Sequence, residues 1–423
     1  MTPPKDHLMI LAIMYLRPKI KSLFDPRQNI TALFTAAFFY ASGIGVLLVA
    51  LPFVVTNLGG SDRELGFCIG INYAAYIIAC ILLGIILDNF NAKRSLQLSA
   101  LIMALCALGI FATITLHTKE SLPLNPISCL YAIFVITGMA PVLFWPTIMG
   151  WVSIGREGKG LSRRLGLYNL SWASALAISP FFGGQLIEFS LSFTLILAAA
   201  LFFMAFLIIC PIISASQGKP QETDGQIVQE YIHDPALPAF RWIARIALIA
   251  ATITSALMRT QLALFLTENL GFEPSQYGYA ITFLCMANIL GLFLIGKIHT
   301  WHFRLTPFIL AQIFLIIGLF MIINLPSIWA IYFAAAIIGI GGSFMYGSHQ
   351  FYNVSGGKKR SGLMALHEIL LSIGFVIGSV TAGLLAENFG RYSPYKFGCV
   401  CLIISIVIQL IIRIKAAGGL CPK

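Results

Sequence analysis

The sequence predicts an all-α membrane protein with 12 transmembrane helices arranged as two six-helix bundles. Of its 423 residues 58% are hydrophobic and only 10% are charged, and the mean hydropathy is +0.88. The apolar residues fall into long stretches, each close to the ~20 residues that an α-helix needs to cross a bilayer. One long polar stretch near the middle of the chain divides these stretches six and six.

The apolar stretches give the spans in order. We predict them at 30–56, 65–87, 96–117, 127–150, 166–188 and 192–213, and then at 241–267, 275–297, 306–323, 328–351, 362–386 and 395–414. The domains are then an N-terminal segment 1–29, a first bundle 30–213, a linker 214–240, a second bundle 241–414 and a tail 415–423. Pro, Gly, Gln and acidic residues in the linker are typical of a solvated connector.

The basic residues predict the orientation of the spans. Of the 27 Lys and Arg residues, one lies inside a span, and four fall on the outer side if the N-terminus is inside: Arg63, Lys119, Arg391 and Lys396. All the others fall on the inner side, which is the positive-inside pattern. We therefore expect a multi-pass protein of the plasma (inner) membrane with both termini, the segment 1–29 and the linker in the cytoplasm.

Composition also limits the partners. The net charge of +11 follows from the orientation rule and from contact with anionic membrane lipid, so we expect no nucleic-acid partner. The nine cysteines are scattered without zinc-like spacing. We expect no metal, no cofactor and no catalytic triad, and the Gly-rich run at 339–347 lacks the lysine of a phosphate-binding loop.

The two halves show weak internal similarity at matching positions. A basic loop, GREGKGLSRR, precedes span 5, and another, SGGKKR, precedes span 11. Both spans contain closely spaced small residues, among them Gly374 and Gly378 in span 11, which favour close helix packing. Duplicated six-helix halves are a recurring transporter architecture.

The loop between spans 2 and 3 reads GIILDNFNAKR and contains Gly84, Asp88, Lys93 and Arg94. It resembles the signature loop of the major facilitator superfamily, with Asn89 at a position that is usually basic. The resemblance implies the fold of that superfamily, with two bundles around a central cavity. It also implies that these four residues form a cytoplasmic gate, in which Asp88 faces the positive N-terminus of span 11.

Span 5 ends in AISPFFGG, which resembles an element of the antiporters of this superfamily, with Ser179 at a position that is usually Gly. Pro180 removes a backbone hydrogen bond and can bend the helix, and Gly183 and Gly184 allow close packing. Two other features of proton-driven drug exporters are missing, since span 1 has no acidic residue and span 4 has no arginine.

Glu368 is predicted to carry protons. A charge at the centre of a bilayer costs on the order of 2.5–3.5 kcal/mol, so such a residue usually faces a cavity or a partner. On a helix, Glu368 shares a face with Ser361, Ser372 and Phe375, whereas His367 points to a packing face. A carboxyl group in an apolar site favours its neutral form, which suits reversible protonation.

Arg259 lies within span 7, one of the spans that line the cavity in the superfamily that the chain resembles. It can bind an anionic group of a substrate or pair with Glu268. Pairing with Glu368 is not expected, because their positions along the two helices differ in depth by roughly 18 Å.

Further polar and aromatic residues are candidates to line a substrate cavity, since such pockets combine apolar walls with a few polar groups. These candidates are Tyr40, Asn72, Tyr76, Trp145, Asn169, Trp172, Gln261, Asn288, Tyr346 and His349.

The sequence thus predicts a secondary active transporter that moves a small solute by alternating access, is coupled to protons, acts as a monomer and is not an enzyme. Export of amphipathic compounds is supported by the aromatic cavity candidates and the span 5 element. Uptake of a polar or anionic metabolite is supported by Arg259 and Glu368. A transporter-like sensor that binds a solute without moving it remains a third alternative.

Overall fold

The computed structural model describes residues 30–83, 91–121, 123–153, 158–212, 235–298, 300–355 and 360–417. The helices are Ile30–Asn57 (α1), Asp62–Leu83 (α2), Ala92–Thr118 (α3), Pro126–Met139 with Trp145–Ser153 (α4), Gly158–Phe189 (α5), Leu191–Ile209 (α6), Leu237–Leu264 (α7), Pro274–Lys297 (α8), Thr306–Asn324 (α9), Ile328–Val354 (α10), Arg360–Phe389 (α11) and Ser393–Ala417 (α12). These ranges contain 12 spans that are long and apolar enough to cross a membrane, which confirms the predicted count.

An even number of spans puts the beginning of α1 and the end of α12 on the same face of the membrane. We call this the terminal face, and we call the opposite face, where α1 ends and α2 begins, the distal face. Odd-numbered helices therefore run from the terminal to the distal face and even-numbered helices run back.

Local sequence explains where several helices begin and bend. Asn125 caps α4, because its Oδ1 accepts hydrogen bonds from the backbone N–H groups of Ile127 and Ser128. The fourth span is interrupted by a 3-10 turn at Ala140–Leu143, since Pro141 has no N–H to donate to the preceding turn. At its distal end α7 continues as a π turn, Phe265–Asn269.

The buried apolar residues follow the two halves of the chain. Two clusters belong to the first half: one includes Tyr40 and Phe202, and the other includes Leu51. Their buried residues come from α1–α6, except that Leu264 of α7 joins the second cluster. A third cluster, which includes Phe240 and Phe308, comes from α7–α12 apart from Val49 and Ala177. The halves are therefore two bundles with separate cores.

The bundles meet at the distal face along two seams, of which the first joins α5 to α8. A Cβ atom added to Gly278 would overlap the carbonyl oxygen of Pro180 and lie 2.9 Å from Gly184 Cα. One turn farther along α5, Glu188 Oε1 accepts a hydrogen bond from the backbone N–H of Ser275, at 2.9 Å. In the α5–α8 seam the two helix backbones are therefore in direct contact where both carry glycine, and a carboxylate of α5 binds the N-terminus of α8.

The second seam joins α11 to α2 in the same way. A Cβ atom added to Gly66 would lie 2.5 Å from the carbonyl oxygen of Ser379 and 3.0 Å from Gly383 Cα. Glu387 Oε2 accepts a hydrogen bond from the backbone N–H of Arg63, at 3.1 Å.

The two seams are related by the internal repeat, because α5 corresponds to α11 and α2 corresponds to α8. In each of α5 and α11 a glycine is followed four residues later by the glutamate, at Gly184 and Glu188 and at Gly383 and Glu387. The weak similarity between the halves thus extends to the contacts that close the distal face.

Candidate functional site

Glu368 lies on α11 and is half-buried. Its carboxylate interacts electrostatically with the hydroxyl groups of Tyr76 on α2, Tyr168 on α5 and Tyr346 on α10. Within the described part of the chain no cation forms an ion pair with it. A single carboxyl group thus lies near tyrosines contributed by both bundles, and we call these four residues the Glu368 site.

A stacked aromatic pair crosses between the bundles on the distal side of this site. The rings of Tyr73 on α2 and Phe375 on α11 are 4.3 Å apart and almost parallel. Tyr73 interacts electrostatically with both Glu368 and Arg259. Tyr73 therefore lies near both the acidic group and the basic group that the sequence singles out.

Arg259 is held mainly by α8. Its Nη2 lies 3.7 Å from Cys285 Sγ, and its carbonyl oxygen accepts a hydrogen bond from Tyr277 Oη at 3.1 Å. The predicted alternative, pairing with Glu268, is not what the structure shows, because Glu268 Oε2 lies 2.7 Å from Arg391 Nη1. No described carboxylate forms an ion pair with Arg259.

Three cavity candidates of the N-terminal bundle form a group. The rings of Trp145 and Trp172 are 6.2 Å apart, and Trp172 Nε1 donates a hydrogen bond to Oδ1 of the exposed Asn169. Tyr40, by contrast, is fully buried, stacks on Phe144 and shares a hydrogen bond with Ser99 Oγ at 2.8 Å. It packs in the bundle core because its hydroxyl group has a partner there.

The other polar candidates lie in different surroundings. Asn72 Nδ2 donates to Thr137 Oγ1 at 2.9 Å and so joins α2 to α4. Gln261 is fully buried, and neither its Nε2 nor its Oε1 has a hydrogen-bond partner among the residues that the structure describes. Asn288 is half-buried on α8.

His349 and His367 form a buried pair that the sequence does not indicate. Their Nδ1 atoms are 2.7 Å apart, so that one ring donates and the other accepts. Both rings are almost completely buried, and the ring of Tyr346 packs edge-on against His367. The pair joins α10 to α11 next to Glu368, so His367 faces the packing surface, as its helical position suggests.

Part of the predicted cytoplasmic gate, Gly84 and Asp88, lies outside the described residues. Lys93 Nζ donates a hydrogen bond to the carbonyl oxygen of Cys210 at 2.6 Å and so joins α3 to the end of α6. Arg94 is exposed, and its backbone N–H donates to Asn91 Oδ1, which caps α3. The gate itself stays a prediction.

The small residues singled out in spans 5 and 11 lie at helix contacts. Gly183 faces Val46 on α1, with an added Cβ atom 3.5 Å from Val46 Cα, while Pro180 and Gly184 lie in the α5–α8 seam. Gly374 and Gly378 face α7. A Cβ atom added to Gly374 would overlap the side chain of Thr252, and one added to Gly378 would lie 2.9 Å from the carbonyl oxygen of Ile253.

A cluster of charges lies beside the α2–α11 seam at the distal face. Arg391 Nε lies 3.1 Å from both carboxylate oxygens of Asp62, in the other bundle, and its Nη1 contacts Glu268 and Asn269 from the π turn. Burial acts to lower the pKa of Arg391, but its hydrogen bonds and the charges of Asp62 and Glu268 outweigh burial and raise that pKa above its usual value. Arg391 therefore stays cationic.

Replacing Arg391 with glutamine should loosen the distal face. The side chains of Arg391 and Asp62 are only 17% and 12% exposed. The free energy that holds the distal face closed should therefore fall by an amount between the contribution of an exposed ion pair, about 0–1 kcal/mol, and the cost of breaking a buried one, about 3–5 kcal/mol. Spin labels at the exposed Ser121 and Ser327, in a cysteine-free background, measure the distance between the bundles at this face. We expect a second, longer distance in Arg391→Gln.

The matched control is Lys396→Gln, which removes an exposed cation a few residues away. We expect this control to give the distance distribution of the wild type. If Arg391→Gln also gives that distribution, the ion cluster does not hold the bundles together.

The residues that sequence reasoning missed are mainly interface residues. Tyr73 and Tyr168 lie near Glu368, and Glu188 and Glu387 lie in the seams. The repeated Gly and Glu spacing in spans 5 and 11 is the one sequence signal that could have indicated the seams.

Comparison with known proteins agrees with this geometry. The family model described as Major Facilitator Superfamily matches residues 33–356 and 262–419. The chain is 21% identical over 371 residues to quinolone resistance protein NorA of Staphylococcus aureus, covering 85% of this chain and 90% of that protein. It is 20% identical over 386 residues to multidrug resistance protein 1 of Bacillus subtilis, covering 90% of this chain and 95% of that protein.

Solved structures show the same fold. The crystal structure of nucleoside transporter NupG superposes with a TM-score of 0.69 at 13% identity, over 91% of this chain and 98% of that chain. The two bundles, the site between them and the family match define a membrane transporter rather than an enzyme. The chain belongs to the Major Facilitator Superfamily.

Proposed function

We propose that this transporter exports amphipathic cations in exchange for protons. The observation that carries the proposal is the carboxyl group of Glu368, which lies without an ion-pair partner in the described structure and near tyrosines of both bundles. A lone carboxylate beside aromatic rings favours a cation with apolar groups, because the rings add attraction to the cation and burial of its apolar surface.

Exchange follows from competition for one charge. The Glu368 carboxylate can be neutralised by a proton or by the substrate cation, and leaving it charged and empty in an apolar site is costly. Binding of either cation therefore favours release of the other. Alternating access of the two bundles would then link proton entry from one face to substrate exit at that face.

The orientation belongs to the same proposal. The positive-inside pattern supports a cytoplasmic terminal face in the inner membrane, so the seams would close the outer side. The curated relatives named above are a quinolone resistance protein and a multidrug resistance protein, and their names support an export function. We further propose that a monomer suffices, because the Glu368 site is built from one chain.

The test is the thermal stability of the purified protein with tetraphenylphosphonium, a lipophilic cation, at neutral and at mildly acidic pH. A ligand at 100 times its dissociation constant adds about 2.7 kcal/mol to the stability of the folded state. We expect stabilisation at neutral pH that weakens in acid, where protons compete. Stabilisation that is equal at both pH values would contradict competition at a carboxyl group.

Uptake of an anionic metabolite is the second candidate, and it rests on Arg259, which forms no ion pair with a described carboxylate. On this hypothesis a panel of carboxylates and phosphorylated metabolites stabilises the protein, and Arg259→Gln removes the effect. The control Lys415→Gln, at an exposed cation of the terminal face, should leave the effect unchanged. Stabilisation by anions that persists in Arg259→Gln would exclude Arg259 as their site.

A further inference from the structure

A groove opens on the lipid-facing side of the C-terminal bundle, near the terminal face and outside the interface between the bundles. It has a volume of about 490 Å³ and lies where α8 ends, α9 begins and α10 passes behind them. Its walls include Leu294, Ile340 and Phe344, and its mouth carries Thr300, Arg304 and Thr306. The groove therefore has an apolar interior and a polar, cationic mouth.

The surroundings of the groove place it in the membrane. Leu294 and Ile298 line it and are 40% and 49% exposed, as expected for residues that face lipid. The side chain of Lys297 lies over the exposed ring of Phe293, with Nζ 4.4 Å from the ring centroid. A lysine that covers a lipid-facing ring at a helix end is typical of the level of the lipid headgroups.

Among the described residues that line the groove, the charged one is a cation. Arg304 lines the groove and is exposed. Lys297 is exposed beside the groove, next in sequence to the lining residue Ile298. The sequence contains no acidic residue between Glu273 and Glu368. Cationic pockets between transmembrane helices at the membrane surface bind anionic lipid headgroups. An occupant must therefore combine an anionic group with a long apolar part.

The loop that carries Arg304 is fixed in place. Phe303 has a φ of 54°, which non-glycine residues rarely adopt, and its backbone N–H donates to Tyr352 Oη at 2.7 Å. Trp301 lines the groove, and its Nε1 donates to the carbonyl oxygen of Ile295 at 3.3 Å. Two residues of the loop, Trp301 and Phe303, are thus tied to the bundle just before Arg304, so Arg304 is presented at a defined position.

We infer that this groove is a binding site for an anionic phospholipid of the leaflet at the terminal face. The phosphate contacts Arg304 and Lys297, the threonine hydroxyl groups bind the headgroup, and one acyl chain fills the apolar groove. Both this groove and the Glu368 site use α10, but they share no residue, and α2, α5 and α11 contribute none of the described residues that line the groove.

The test uses the fluorescence of Trp301 in nanodiscs of phosphatidylcholine. Brominated phosphatidylglycerol or brominated phosphatidylcholine is added as the quencher, and the contribution of Trp301 is obtained by comparison with Trp301→Phe. We expect phosphatidylglycerol to quench this contribution at a lower mole fraction than phosphatidylcholine. Arg304→Gln should reduce the preference about fivefold, the usual contribution of one cation near a membrane surface.

The matched control is Lys415→Gln, which removes a cation from the same face outside the groove. Equal quenching by both lipids, or an equal loss of preference in Lys415→Gln and Arg304→Gln, would overturn the inference, since the attraction would then come from the whole surface. If Trp301→Phe is unstable, native mass spectrometry of retained phosphatidylglycerol distinguishes the same outcomes. Displacement of the brominated lipid by tetraphenylphosphonium would also contradict a dedicated lipid site.

Discussion

Replacing Gly278 with leucine is expected to prevent closure of the distal face and to abolish transport. A Cβ atom at this position would overlap the carbonyl oxygen of Pro180 and lie 2.9 Å from Gly184 Cα, so even one added carbon atom meets backbone. Overpacking of ordinary cores costs about 1–3 kcal/mol, and backbone atoms have less freedom to move than side chains. The ratio of closed to open molecules should therefore fall by at least about fivefold, and by about 150-fold at the upper end of this range.

The measurement is the distance between spin labels at Ser121 and Ser327, together with uptake of tetraphenylphosphonium into vesicles. The equivalent change in the other seam, Gly66→Leu, should have the same effect because Gly66 meets Ser379 and Gly383. Leucine favours helix more than glycine does, so loss of helix does not explain either result.

The matched control is Gly166→Leu. Gly166 lies on α5 in open space, with nothing within 4 Å of an added Cβ atom. This change should leave both distance and uptake near the wild type. If Gly278→Leu behaves like this control, the α5–α8 seam does not need the close approach that the structure shows.

The second large effect is expected for Glu368→Gln, which should remove coupling to protons. Glutamine keeps the size of the side chain but can neither release a proton nor balance a cation. Affinity for tetraphenylphosphonium should fall about ten- to a hundredfold, since hydrogen bonds to charged groups contribute about 1.5–3 kcal/mol. The remaining binding should no longer depend on pH in the range where the wild type responds.

Two variants separate this role from a general loss of charge. Glu368→Asp retains a carboxyl group and should recover part of the binding together with its pH dependence. Glu273→Gln makes the same chemical change at an exposed residue before α8 and should have no effect. Full proton-driven transport in Glu368→Gln would exclude this residue as the coupling group.

Hydropathy and charge were sufficient to predict the 12 spans, because a helix in lipid must be apolar over a fixed length. The same reasoning could not predict the interruption at Ala140–Leu143, since prolines also occur in continuous membrane helices. It also could not predict the π turn that brings Glu268 and Asn269 to Arg391, because that contact depends on how the distal ends of α2, α7 and α11 converge.

The candidate site was partly predictable for a similar reason. Glu368 is conspicuous in the sequence because a charge within an apolar span is costly, whereas a tyrosine in a span is as often a packing residue. Tyr168 is brought near Glu368 only by the arrangement of the two bundles. The pairing of His349 with His367 also depends on the rotation of α10 against α11, which helical periodicity within one span does not determine.

The duplication of the seams has a kinetic consequence. The α5–α8 and α2–α11 contacts lie in two different helix pairs, so complete separation of the bundles at the distal face requires both pairs to part. Separation should therefore be a cooperative, all-or-none event whose activation barrier includes the loss of both seams. Intermediates with one seam open should be sparsely populated, and weakening either one should accelerate opening of the whole face.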